Sequence, residues 1–121
     1  MYFELGGKRW LLTGDVSAEQ EKQIVQTYTG LQVDILKTGH HGSKTSTDKD
    51  FVAAVQPEHA VISAGYCNRF GHPHPEPLEI LEKAGVNVWR TDLQGAIQFI
   101  TSSREKPGIR TAREEMLPVC N

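Results

Sequence analysis

Val33-Asp34-Ile35-Leu36-Lys37-Thr38-Gly39-His40-His41-Gly42-Ser43 is the stretch on which the reading of this chain turns. A short apolar, β-branched run breaks off into a histidine pair held between glycines. The run predicts a strand over residues 33–36, and the residues after it predict a polar loop reaching to about residue 47. Neighbouring histidines between glycines, directly after a strand, are hard to explain as core packing. Glycine lets the backbone fold tightly and lets a metal ion or phosphate come close. Adjacent side chains point in different directions, so one imidazole is expected to ligate while the other orients it or meets substrate. Taken alone, the stretch reads equally well as a solvated polar loop.

Working outward, residues 2–5 and 8–13 flank Gly6-Gly7 and predict a β-hairpin whose second strand, carrying Trp10-Leu11-Leu12, is buried. That strand closes on Thr13-Gly14-Asp15. Ser17 and Gln20 stand at capping-box spacing and open a helix with Ile24, Val25 and Tyr28 as its buried stripe and Gly30 as its stop. A second helix is expected over residues 48–55, capped by Ser46 or Thr47 and ended by Pro57. Residues 60–63 predict a strand, and residues 77–84 a third helix that stops at Gly85. Residues 86–90 and 96–101 suggest a closing hairpin around residues 92–95. From residue 102 to residue 121 the chain reads as a charged, flexible tail with a short helix near residues 111–116. The order predicts an α/β fold, with a mixed sheet and helices on its outer face.

Composition is that of an ordinary soluble globular chain. Its 121 residues are 38% hydrophobic and 23% charged, with a formal net charge of −2. The balance excludes an architectural DNA-binding protein with a broad basic face, but not a nuclease, which needs a local site. No apolar run is long enough to suggest a membrane span, and no signal-peptide pattern opens the chain. Cys67 and Cys120 form neither a disulfide framework nor a Cys-x-x-Cys metal pattern, and a bridge between them is not expected.

Two further strand ends carry chemistry. Asp15 is either a helix cap or a metal ligand. In Asn68-Arg69-Phe70-Gly71-His72-Pro73-His74-Pro75, the prolines fix where each imidazole points. His72 reads as ligand, general acid or phosphate contact, whereas His74 reads as an incidental turn residue. A carboxylate and imidazoles on neighbouring strand ends suit Zn²⁺ or Mn²⁺, either of which acidifies bound water and polarises a phosphoryl oxygen. On their own, the three loops support only a possible metal hydrolase.

Several segments, in order and at fitting spacing, match a known pattern. These are Leu11-Leu12-Thr13-Gly14-Asp15, Val33-Asp34-Ile35-Leu36-Lys37, Gly39-His40-His41-Gly42-Ser43, Ala60-Val61-Ile62-Ser63, Asn68-Arg69-Phe70-Gly71-His72-Pro73, and Arg90-Thr91-Asp92 with Gly95-Ala96-Ile97. From about residue 2 to residue 100 the chain resembles the metallo-β-lactamase-like domain of ComEC competence proteins. The resemblance implies a four-layer αββα sandwich of which residues 1–101 are the C-terminal half. It implies a domain on the outer face of the bacterial cell membrane that degrades one DNA strand during uptake in natural transformation. Asp15 would then be the metal-bridging carboxylate and His40 or His41 a ligand. Ser43, Asn68 and His72 would face the substrate cleft.

The family's His-x-His-x-Asp-His run has no counterpart, since every histidine lies at position 40 or later. A catalytic zinc takes about three protein ligands, and a two-metal site takes more. The expectation is a fragment that binds metal weakly or not at all and is inactive alone. Separated from its missing N-terminal half, it should expose an apolar sheet face and self-associate. Two other readings stand beside this one. One is part of a soluble metallo-β-lactamase-like hydrolase of phosphoesters or other esters. The other is a non-catalytic nucleic-acid-binding module using Lys37, Lys44, Lys49 and Arg69 on phosphates.

Overall fold

The computed structural model describes residues 1–101 and 104–120. Strand β1 (Tyr2–Leu5) turns through Gly6 and Gly7 into β2 (Lys8–Leu12). Both glycines have positive φ, +61° and +74°, as a two-residue hairpin turn matching strand twist requires. Phe3 lies opposite Trp10, and their rings stack at 5.8 Å. Helix α1 (Ala18–Thr27) opens on the expected capping box between Ser17 and Gln20. Then come β3 (Ile35–Lys37), a 3₁₀ turn at Gly39–Gly42, α2 (Lys49–Val55), β4 (His59–Ile62), α3 (Pro75–Lys83), β5 (Asn87–Arg90), α4 (Thr91–Gln94), β6 (Ile97–Ile100) and β7 (Gly108–Thr111).

The fold is mixed α/β. A five-stranded sheet runs β1-β2-β3-β4-β5, with β1 antiparallel to β2 and the other pairs parallel. Parallel neighbours need crossover connections, and α1, α2 and α3 supply them. Leu11, Leu36, Ala60 and Val88 stand in register on one face. Phe51, Val52 and Val55 of α2, Leu81 of α3, and Ile24 and Val25 of α1 cover that face. The opposite face carries Trp10, Ile35, His59 and Trp89. Phe99 of β6 packs edge-on against Trp10 at 5.3 Å and against His59 at 5.8 Å.

Several expectations need correction. The closing hairpin does not form. β5 pairs with β4, α4 intervenes, and β6 pairs antiparallel with β7 in a separate two-stranded sheet. The turn after β5 is closed by Arg90, whose guanidinium grips the Asp92 carboxylate at 2.7 and 3.1 Å, both side chains being largely buried. β7 occupies part of the segment read as a tail, and it stands where no strand was expected. Residues 102, 103 and 121 of that segment lie outside the described residues.

Cys67 and Cys120 are joined, with S–S 2.03 Å and Cα–Cα 5.4 Å. The return of the chain after β7 brings this about. Arg113 and Leu117 donate backbone bonds to Gln94 and Leu93, and the Tyr66 hydroxyl donates to the Pro118 carbonyl. Asp48, rather than Ser46 or Thr47, caps α2 by accepting from the Asp50 and Phe51 amides, because the other two side chains are buried in the loop. Tyr28 is 62% exposed, and Glu21, three and four residues before Ile24 and Val25, occupies the buried stripe instead. Among the described residues no helix is long and apolar enough to cross a membrane.

Candidate functional site

Parallel strands β2, β3 and β4 end at the same edge of the sheet, where α/β folds gather their functional loops. The turn after β2 is tied to its neighbour twice: the Thr13 hydroxyl donates to the Lys37 carbonyl at 3.0 Å, and the His40 amide donates to the Gly14 carbonyl at 2.8 Å. Asp15 is exposed beside that junction.

His40, His41 and Gly42 all take positive φ, +47°, +56° and +78°. Two consecutive non-glycine residues in that region carry backbone strain of about 1–3 kcal/mol each, which surrounding contacts must hold in place. Those contacts are visible. A Cβ on Gly42 would stand 2.7 Å from the Pro73 Cβ, so this loop and the one after β4 touch where only glycine fits. The Ser46 hydroxyl donates to the Gly39 carbonyl at 2.8 Å. Glu21, whose importance no motif announced, accepts from the Thr47 and Asp48 amides at 2.9 Å each. Burial pushes its carboxyl above the ordinary range, against the opposing effect of those two N–H bonds. Its one sequence signal is a carboxylate in the apolar stripe of α1.

In the loop after β4, Asn68 makes four hydrogen bonds. Its amide group donates to the Gly65 and His72 carbonyls, and its oxygen accepts from the Phe70 and His72 amides. That uses the whole capacity of the side chain, so Asn68 shapes the loop instead of offering a free group to the cleft. The His74 ring is spoken for as well. Nδ1 accepts from the Lys44 amide at 2.9 Å, which leaves Nε2 as the N–H that donates to the Phe70 carbonyl at 3.2 Å. Thr91 anchors the loop base, its hydroxyl accepting from the Ala64 amide and donating to the Ala64 carbonyl, both at 2.9 Å.

These loops bring His40, His41 and His72 together, with ring centroids 5.8 to 6.3 Å apart. His41 Nδ1 lies 2.8 Å from the Ser63 carbonyl and so donates to it, which leaves the Nε2 lone pair free. Burial, then the neighbouring His74, His40 and His41, hold the His72 imidazole below its ordinary value. A cavity of about 190 Å³ opens between His41, His72, Asn68 and Phe70. Ser43 is only 4% exposed, pairing with the Thr45 hydroxyl, which reaches towards His40 Nδ1 at 3.5 Å. It therefore supports the loop from within and does not face the cleft. Lys49 lies in a groove between α2 and α3 beside Glu76 and Glu79.

No family model matches the chain. Over 104 residues it is 42% identical to ComE operon protein 3 of Bacillus subtilis, covering 86% of this chain and 13% of that protein. Over 95 residues it is 43% identical to competence protein ComA of Neisseria gonorrhoeae, covering 78% and 14%. Recombination protein 2 of Haemophilus influenzae is 34% identical over 108 residues, covering 89% and 13%. The chain is homologous to one segment of the competence proteins. It spans under a sixth of the length of each of these competence-protein relatives.

In this chain the imidazoles and Asp15 are donors of the kind zinc and manganese accept. Among the described residues, however, no group of three or more histidine, cysteine, aspartate or glutamate side chains is placed to hold an ion.

Proposed function

We propose that the chain is the C-terminal half of a metallo-β-lactamase-like, metal-dependent nuclease domain that cuts a DNA strand during uptake by a membrane-bound competence protein. The observation that carries this reading is His41. Its Nδ1–H is fixed on the Ser63 carbonyl, so its Nε2 lone pair is left for a ligand beside His40 and His72. A histidine oriented through its far nitrogen is the usual arrangement for a metal ligand. Asp15, on the turn bonded to His40, is the carboxylate candidate. The similarity to competence proteins supports DNA as substrate.

The remaining ligands of a zinc or manganese centre would come from a preceding half of the domain. His72 stands on the edge of the cavity, close enough to the other imidazoles to hold a phosphate oxygen or move a proton.

The test is cleavage of a labelled single strand by the longer parent protein with added Zn²⁺ or Mn²⁺, compared with Asp15→Asn and His41→Asn. Loss of cleavage by at least about a hundredfold in each variant supports the reading. Equal cleavage by wild type and both variants sinks it. The 121-residue chain by itself is expected to leave the strand uncut.

A further inference from the structure

Phe70 is 61% exposed at the rim of the histidine cavity. Single exposed apolar side chains are common and need no explanation. Three observations set this one apart. Its backbone is held on both sides, the amide by the Asn68 oxygen and the carbonyl by His74 Nε2, so the ring is presented from a fixed stem. Its ring lies 5.7 Å from that of His72 at an interplanar angle of 25°, continuing a nearly parallel series through His72 to His41. The Arg69 guanidinium sits over it, 4.9 Å from the ring centre. Among the described residues Arg69 has no carboxylate partner.

We propose that Phe70 and Arg69 form a stacking subsite for one nucleobase of a single strand whose adjoining phosphate faces the histidine cluster. Every base offers a π face, and an aromatic ring beside a basic group is the usual means of holding a strand without reading its sequence. The guanidinium now over Phe70 shows that this face of the ring is open to a planar group. A base taking that position releases Arg69, one residue away, to pair with a phosphate. The fixed spacing from residue 70 to residue 72 then sets which phosphate reaches His72. The subsite rests on the DNA reading above and adds where a base is held.

The test measures binding of the 121-residue chain to a fluorescent 12-nucleotide oligothymidylate in metal-free, low-salt buffer, beside a strand of the same length with abasic sites throughout. Wild type is expected to bind the thymidine strand roughly tenfold more tightly than Phe70→Ala does, with Phe70→Tyr restoring affinity. Wild type should bind the abasic strand as weakly as Phe70→Ala binds the thymidine strand, with no further loss in Phe70→Ala. Equal affinity of wild type and Phe70→Ala, or of the two strands for wild type, overturns the stacking subsite and leaves the DNA reading standing. No binding of either strand overturns the subsite and counts against the DNA reading too.

Discussion

Replacing Cys67 and Cys120 with serine together opens a covalent ring whose ends are separated by 53 residues of chain. In the chain-entropy picture, closing a loop of this length removes denatured-state freedom equivalent to about 4 kcal/mol at 25 °C. Single domains are commonly stable by only about 5–15 kcal/mol, so the loss is a large share of the total. For a chain of this size it corresponds to a fall in melting temperature of roughly 15–25 °C. Urea unfolding followed by tryptophan fluorescence, with and without reductant, measures it. Reduced wild type and the double variant should coincide, both far below oxidised wild type. Mass spectrometry of the oxidised protein establishes that the bridge is closed. A closed bridge with a midpoint change worth less than about 1 kcal/mol would refute the loop-closure reasoning.

Glu21→Gln should cost about 1–3 kcal/mol at neutral pH, because one of the Thr47 and Asp48 amides loses its acceptor inside the protein. The folded Glu21 carboxyl titrates above its ordinary value, so the native state binds that proton more tightly than the unfolded chain. Wild type should therefore gain stability relative to the variant as pH falls from the folded value towards the ordinary carboxylate range. A relative loss on acidification would contradict this. Gly42→Ala combines a positive φ with a Cβ only 2.7 Å from Pro73, and should cost roughly 1–3 kcal/mol. It should also lower hydrogen-exchange protection of the His74 amide, which donates to the Gly42 carbonyl. Unchanged protection would show that the loops do not depend on that contact.

Features governed by near neighbours were legible before the structure. The Gly6-Gly7 turn and the Ser17–Gln20 cap depend on a few adjacent residues, and they stand where the sequence puts them. The same holds for α2 and α3, which start within two residues of their expected positions. What failed depends on partners distant along the chain. An apolar run such as Asn87–Arg90 does not say which strand it will join, and the parallel place beside β4 keeps Val88 on the buried face. The bridge between Cys67 and Cys120 comes from β7 turning the chain back, and β7 lay in a segment too charged to read as a strand. Among the candidate site residues, the sequence pointed to His40, His41 and His72, which do converge. It could not separate them from Ser43 and Asn68, because a polar residue in a loop looks the same whether it faces the cleft or holds the loop together.

The left-handed run at His40-His41-Gly42 has a consequence for how the two imidazoles should be probed. Positive φ is tolerated by asparagine and glycine and resisted by most other side chains, alanine and β-branched residues among them. An alanine scan would therefore change the backbone and the chemistry at once, and any lost activity would have two possible causes. Asparagine at either position removes the imidazole while keeping a residue at ease in that conformation. It is thus the substitution that isolates what the ring itself contributes.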